Sequence, residues 1–447
     1  MLKKVFFLLF YYLSPLLPIL AIFNSNTARY SNYKIFIPMI LGSMAYTWLI
    51  FEFILSARPK FIERYFGLDK FYRFHGLMAI IAVTMVFIHK ILFTDLMGEF
   101  STSEMGDKAF YIYLAVIFLA LIFMADLVVK KIKPLYKFRK IMEKIKVAKY
   151  EYQVAIHNLS VIGLVLMFIH VMMTYGAKSN LLIRSVYIFY FVGGIGFYLY
   201  HKVIRLLILK NRRFIIKGIK KESETMYSLN LVPENGKIFN YKPGQFGFVR
   251  IFSKNIKAEE HPFSFSSEPT NNDYVSVTVK ELGDYTSSIK NVVEGDKVFL
   301  DAPYGNFSYI DKKGEDGIVL ICGGVGITPA LSILRYIFRN DKSKKVTLIW
   351  GINNQSELIN KVEFEKMAKE MQNFYFTPVM FKDDTWEGER GVINKEKILS
   401  ILKNNSMDVY KQGYYICGPS IMLNNVLRAL KDIGIKRRFI HYEKFSL

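Results

Sequence analysis

The sequence predicts a membrane bundle of six α-helices followed by two soluble domains, an antiparallel β-barrel and an α/β domain with a parallel sheet. Three observations predict it. Hydrophobic residues make up 52% of the 447 positions, and they crowd into the first ~210, more densely than a soluble domain requires. From Phe214 the pattern changes to period two, in short runs separated by turn residues. From Gly317 it changes again, to short continuous apolar runs alternating with helical segments. The expected domains are therefore 1–212, 213–312 and 313–447.

Six spans can be drawn: Val5–Phe23, Ile35–Leu55, Phe71–Phe93, Phe110–Val129, Gln153–Tyr175 and Ser185–Leu209. Each is close to the ~20 residues that cross a hydrocarbon core. The opening MLKKVFFLLFYYLSPLLPILAIF begins like a signal peptide. Its apolar run is too long for one and no small-residue cleavage site follows, so it is read as a retained first span.

Basic residues set the orientation. The loop after the second span holds Arg58, Lys60, Arg64, Lys70 and Arg73. The loop after the fourth holds Lys130, Lys131, Lys133, Lys137, Arg139, Lys140, Lys144, Lys146 and Lys149. The loop Thr94–Ala109 instead carries Asp95, Glu99, Glu104 and Asp107. Both termini and the soluble half are thus expected in the cytoplasm of a multi-pass plasma-membrane protein.

The net charge of +22 needs no nucleic-acid partner, because basic loops, anionic lipid and phosphate-bearing cofactors account for it. The basic, partly amphipathic stretch from Lys130 to Gln153 suits the lipid surface, or a platform for the soluble half. Cys322 and Cys417 are too few for a disulfide framework, a zinc site or an iron–sulfur cluster.

The third and fifth spans each carry two histidines, His75 with His89 and His157 with His170. At 1.5 Å rise per residue the members of each pair stand ~20 Å apart along the axis, one towards each face of the core. An ionisable side chain at that depth is a functional hypothesis by default. Two helices with two histidines at matching depths describe two stacked bis-histidine haem sites, His75/His157 on the inner level and His89/His170 on the outer. The alternative is four polar residues bonding neighbouring helices. On an ideal helix His75 and His89 lie ~40° apart, but His157 and His170 ~140° apart. The fifth span should therefore bend or widen, and Gly163 is the expected place.

In the soluble half, Phe214–Lys221, Thr225–Pro233, Gln245–Ile251, Tyr274–Glu281 and Lys297–Asp301 read as barrel strands. GIVLIC, VTLIWG, FYFTPV and YYIC read as buried parallel strands, with helices over Pro329–Arg339, Glu357–Met371 and Pro419–Asp432. After the first parallel strand comes Gly323-Gly324-Val325-Gly326-Ile327-Thr328-Pro329. Its glycines let backbone N–H groups approach a phosphate, with Thr328 as N-cap and Pro329 opening a helix. The last strand ends in Cys417-Gly418-Pro419, at the sheet edge where α/β folds bind ligands; a buried structural cysteine is the equal alternative. In the barrel, His261, Pro262, Phe263 and Ser264 form a strand end. Lys280, Gly283, Asp284, Tyr285 and Thr286 put a cation and a turn within reach of a phosphate.

Together these motifs resemble the NADPH oxidase and ferric reductase superfamily, the transmembrane flavocytochromes b, over nearly the full chain. The resemblance implies a haem-binding six-helix domain and a cytosolic ferredoxin-reductase-like module. That module would join an FAD-binding barrel to an NAD(P)H-binding α/β domain. It places His261, Pro262, Phe263 and Ser264 at the isoalloxazine, and Lys280, Gly283, Asp284, Tyr285 and Thr286 at the FAD diphosphate. Gly323, Gly324, Gly326, Thr328 and Pro329 would hold the nicotinamide dinucleotide's diphosphate. Cys417, with Gly418 and Pro419, would lie beside the reacting nicotinamide carbon, and Phe445 would cover the flavin. For Phe445 the alternative is packing of a C-terminal strand.

Two departures matter. Where the family often has an arginine for the 2′-phosphate of NADPH stand Gly351, Ile352, Asn353 and Asn354. Where animal oxidases place a histidine beyond the outer ligand stands Phe93, and the second span has no outer-half arginine. The choices between NADH and NADPH, and between O2 and a ferric chelate, stay open. The implied function is an NAD(P)H oxidase making superoxide. The alternatives are a ferric-chelate reductase, a non-catalytic haem-binding membrane protein, and a membrane-anchored flavin reductase without haem. No EF-hand loop occurs, so calcium control is not expected, and nothing in the sequence names a protein partner.

Overall fold

The computed structural model describes residues 2–25, 33–97, 103–124, 129, 132–144 and 150–443. The chain forms two compact units, Met1–Arg205 and Leu206–Leu447.

Among the described residues, six helices are long and apolar enough to cross a membrane: Lys3–Phe23, Lys34–Ser56, Lys70–Leu96, Glu104–Phe123, Gln153–Met173 and Leu181–Asn211. The second is the most enclosed, packing against the third and sixth. Its Tyr46, Leu49, Ile50 and Leu55 lie in the core of the bundle with Phe71, Met78, Leu164 and Tyr187. The outward faces carry exposed Phe6, Leu77, Phe87 and Phe189, the surface that a lipid rather than an aqueous solvent accepts.

The third span is one unbroken helix, Leu68–Met97. The fifth is broken, as its histidine spacing requires, but not at Gly163. Helix stops at His157, turns through Asn158 and Leu159, and resumes over Ser160–Met173. The amides of Leu159 and Val161 bond to Ile156 and Asn158, three residues back. Such bonds overwind the chain by ~20° per residue, which reduces the ~140° offset in the required sense. Gly163 instead sits inside the second segment with the Tyr113 ring against it. Of the basic loop, Lys133–Lys144 is helical, with Tyr136, Phe138 and Ile141 exposed among its lysines.

The second unit contains two sheets. Strands β1 (Phe214–Lys221), β2 (Met226–Pro233), β3 (Phe246–Phe252), β4 (Glu260–Ser264), β5 (Val275–Lys280) and β6 (Lys297–Tyr304) form an antiparallel sheet in the order β4-β3-β6-β1-β2-β5. A bridge between Phe265 and Val277 joins its two edge strands, closing the barrel around Phe265, Val275, Val277, Leu229 and Val249. Strands β7 (Gly317–Gly323), β8 (Lys345–Ile352), β9 (Phe374–Met380), β10 (Gln412–Cys417) and β11 (Ile440–Glu443) form a parallel sheet in the order β11-β10-β7-β8-β9. Buried strands β7 and β10 are continuous apolar runs because helices cover both faces.

Several short elements were not drawn from the sequence, among them the strand β11, half polar, and the helix Lys395–Asn404. Another segment starts late, the helix expected from Glu357 beginning at Lys361. The helix after β7 begins at Ile327, so Thr328 is not its N-cap and Pro329 is not its first residue. The Thr328 hydroxyl instead donates to the Val325 carbonyl at 2.8 Å.

Candidate functional site

The helical unit brings its four histidines together in two pairs. His75 faces His157 with ring centroids 6.0 Å apart, and His89 faces His170 at 6.4 Å. Both pairs are nearly perpendicular, at 78°. An imidazole nitrogen binds a transition metal at ~2.0–2.1 Å and lies ~1.1 Å from its ring centre, so two trans imidazoles on one iron hold their centres about 6.3 Å apart. The two pairs match that spacing. Among the described residues no three His, Cys, Asp or Glu side chains converge on a metal site. Each pair would fit a group that takes two imidazole nitrogens on one metal, as a b-type haem does.

The second nitrogen of a ligating histidine normally meets a carboxylate or a carbonyl. His75 Nδ1 lies in ion-pair contact with Glu52 Oε2, and His89 Nδ1 donates to the Pro38 carbonyl at 2.7 Å. Both partners come from the second span and both engage Nδ1 rather than Nε2. Pro38 lies inside a helix, where it loosens the ladder, and a carbonyl has a second lone pair to offer. Glu52 is buried and also accepts from the Tyr11 hydroxyl at 2.7 Å. Two glycines make room for the other rings. A Cβ on Gly42 would stand 2.9 Å from His89 Nδ1, and one on Gly106 2.8 Å from His170 Nδ1. Among the described residues, Nδ1 of His157 and of His170 is buried with no hydrogen-bond partner, and His75 Nδ1 and Glu52 Oε2 meet in an ion-pair contact without a well-aligned hydrogen bond.

In the soluble unit, His261, Pro262, Phe263 and Ser264 lie on edge strand β4, paired with β3. The His261 ring stacks on Tyr285 with centroids 3.8 Å apart and meets Glu259 at 3.2 Å. Burial pushes the Tyr285 phenol up to about 12, with Glu259 adding to it. Thr286 closes the turn after β5, its hydroxyl accepting from the amides of Leu282 and Gly283 at 2.9 Å each, with Asp284 opening the short helix that follows. Lys280 is engaged at 2.9 Å by Glu357, which follows β8. The Asn353 amide side chain also reaches that carboxylate, at 3.1 Å. Burial alone would raise the Glu357 carboxyl, but Lys280 and Asn353 outweigh it and hold it below its ordinary value.

The Gly323–Gly326 turn and the Cys417-Gly418-Pro419 turn adjoin at the carboxyl edge of β7 and β10. Gly324 has φ +52°, and the Trp350 indole donates to its carbonyl at 2.9 Å. A side chain on Gly326 would run into the Cys417–Gly418 backbone, and one on Gly418 would stand 2.9 Å from the Gly323 amide. Cys417 is fully buried, in register with Cys322. Burial pushes its thiol well above the ordinary value, with Cys322 and Glu443 adding to it, so Cys417 is a neutral thiol and no nucleophile. Phe445 lies outside the described residues.

Residues 41–168 match the family described as ferric reductase like transmembrane component. Residues 216–308 match an FAD-binding domain, and residues 320–428 an oxidoreductase NAD-binding domain. The chain has the architecture of the NADPH oxidase and ferric reductase superfamily. This ferric-reductase-type chain is thus an oxidoreductase whose reductase module binds FAD and NAD(P)H. A flavohemoprotein of Halalkalibacterium halodurans is 30% identical over 257 residues, 53% of this chain and 60% of its own length. Sulfhydrogenase 2 subunit gamma of Pyrococcus furiosus is 28% identical over 47% of this chain and 75% of its own. The chain spans about 60% of the length of the curated flavohemoproteins it matches. The FAD/NAD-binding domain of a nitric oxide dioxygenase from Vibrio cholerae aligns at 25% identity and TM-score 0.46, over 52% of this chain and 97% of that one.

Sequence reasoning passed over Glu52, Tyr11, Pro38, Gly42 and Gly106. The signal for Glu52 was present, because a lone carboxylate in an apolar span is as costly as a histidine and equally demands a partner.

Proposed function

We propose that this protein carries electrons from cytosolic NAD(P)H through FAD and two b-type haems to an acceptor on the far side of the plasma membrane, O2 giving superoxide. The observation that carries the proposal is the spacing of the two histidine pairs, 6.0 and 6.4 Å between ring centres, at two depths of one bundle. When bound, FAD takes a hydride as an electron pair, and six-coordinate haems pass single electrons.

The residues have the following roles in this reading. His75 and His157 hold the inner iron, His89 and His170 the outer. The contact of His75 Nδ1 with Glu52 and the bond from His89 Nδ1 to Pro38 fix which nitrogen faces the metal. His261, Pro262, Phe263 and Ser264 seat the flavin ring, with Lys280, Gly283, Asp284, Tyr285 and Thr286 near its diphosphate. Gly323, Gly324, Gly326, Thr328 and Pro329 receive the dinucleotide's diphosphate, and Gly418 and Pro419 close the turn beside it. Cys417 borders the reacting carbon as a buried, uncharged wall, and Phe445 covers the flavin. The basic loops favour cytoplasmic termini, and in this reading the domains run 1–212, 213–312 and 313–447.

A second reading is ferric-chelate reduction, which Phe93 supports only by lacking a proton donor, since the same apolar ring also admits neutral O2. The Phe93 ring lies 5.6 Å from that of His89, so at this position the outer level presents an apolar side chain and no proton donor.

His75→Leu and His170→Leu test the proposal. Each should remove one of two b-type haems from the absorption spectrum and abolish transmembrane transfer, while NAD(P)H-driven dye reduction in the cytosol continues. A purified wild-type protein that is yellow with flavin alone, after expression with ample haem, overturns the proposal. Cys417→Ala should slow flavin reduction several-fold in stopped flow and leave haem content intact.

A further inference from the structure

The two histidine pairs are alike in spacing but not in surroundings. His75 Nδ1 touches a carboxylate, Glu52; His89 Nδ1 donates to a neutral carbonyl, that of Pro38. Glu52 is no surface residue: it is 6% exposed, near the end of the most enclosed span. Its second oxygen takes the Tyr11 hydroxyl at 2.7 Å. Tyr11 is itself fully buried, with its ring on Phe74 at 4.8 Å and its carbonyl accepting from the Trp48 indole at 3.3 Å. A buried carboxylate is costly in hydrocarbon, and Tyr11–Glu52–His75 is a built relay that ends on a proposed iron ligand. The other nearby charges do not reproduce it. Asp107 acts on His170, but it pairs with Lys90 at 2.8 Å. Lys202 acts on His157 through space, whereas Glu52 is in contact with its histidine.

Resting on the bis-histidine reading above, we propose that Glu52 is a positioning residue that lowers the reduction potential of the His75/His157 haem below that of the His89/His170 haem. Two effects act in the same sense. A carboxylate on Nδ1 makes the imidazole a stronger donor to iron and favours the oxidised metal. A negative charge held in a low dielectric also disfavours adding an electron nearby. Pro38 supplies neither to the same degree. The result is a downhill order, in which one electron leaves the Glu52 side and arrives at the Pro38 side with no proton or atom transferred. Tyr11 moderates the effect, because its hydroxyl draws charge from the carboxylate.

The test is a redox titration of the purified, haem-loaded protein, followed in the visible spectrum with His75→Leu used to assign the components. Glu52→Gln keeps the shape and removes the charge. It should raise the potential of the His75/His157 haem by about tenfold in the reduction equilibrium, about 59 mV for one electron, and leave the other haem unmoved. Tyr11→Phe should move the same haem in the opposite direction by a smaller factor. A merely structural role would shift both variants in one sense. Both haems present with unchanged potentials, both haems moving together, or both variants moving alike would overturn the proposal. If Glu52→Gln loses the haem, Tyr11→Phe decides alone: a lowered potential supports the relay and an unchanged one refutes it. A wild-type protein without haem refutes the reading on which this rests, an outcome distinct from flat potentials with both haems in place.

Discussion

Gly42 and Gly106 show how little space a single residue controls beside the paired histidines. Each faces the Nδ1 edge of an outer-level histidine at a distance no real Cβ tolerates, 2.9 and 2.8 Å. The ring cannot move away without losing its partner across the 6.4 Å gap. Gly42→Val and Gly106→Val should therefore each displace the outer pair. The expected outcome is one b-type haem per chain instead of two, measured against protein by its pyridine adduct, with the inner component kept. Retention of both haems in either variant would show that the rings have room to retreat. At this scale the sequence was partly legible. The histidines announce themselves because imidazole in hydrocarbon demands a reason. Glycines in a membrane helix are common for packing, and nothing in a single sequence distinguishes the two that border a ring.

Among the elements, the fifth span shows what spacing alone determines. Thirteen residues cannot return two side chains to one face of a straight α-helix, so the distortion was foreseeable. Its place was not, because the break follows hydrogen bonds at Asn158 and Leu159 rather than the nearest glycine. The strands were legible wherever burial imposed a period, as in β7 and β10. The four-residue β11 was not, since half its pattern is polar. Motif reading offered Lys280 to a phosphate; the structure also shows it paired with Glu357, a partner 77 residues away that no local pattern encodes.

That ion pair joins β5 of the barrel to the segment after β8, and it gives an acid-side prediction. The Glu357 carboxyl lies below its ordinary value when folded. Its contribution is therefore present above the unfolded value and is lost as pH falls through the folded one. Glu357→Gln should cost about 1 kcal/mol at neutral pH. The difference from wild type should vanish in the acid range below the ordinary carboxylate value. Flavin-fluorescence melting curves of the two proteins across pH check this, and a gap that persists at low pH would assign the cost to packing.

For the whole molecule, the proposed path puts hydride entry and electron exit in different units, so in that reading the acceptor is decided by the helical unit alone. Around the outer pair stand Pro38, Gly42, Phe93 and Gly106, none of them charged, with Phe93 against His89 at 5.6 Å and the charges of Lys90 and Asp107 paired with each other at 2.8 Å. A small neutral molecule approaches such a surface without losing hydration, whereas a charged chelate must dock at the loop ends. With Asp107 paired to Lys90 and Glu104 to Lys108, the residual negative charge of the Thr94–Ala109 loop repels an anionic chelate further at low salt. Oxygen should accordingly be the faster acceptor. NAD(P)H oxidation in air should drive cytochrome c reduction that superoxide dismutase abolishes. Anaerobic reduction of ferric citrate should be slower and should quicken as salt screens the acidic loop. If the rate instead depends on the chelate and superoxide dismutase has no effect, the acceptor is iron, and the apolar rim around His89 serves to exclude oxygen chemistry rather than to admit it.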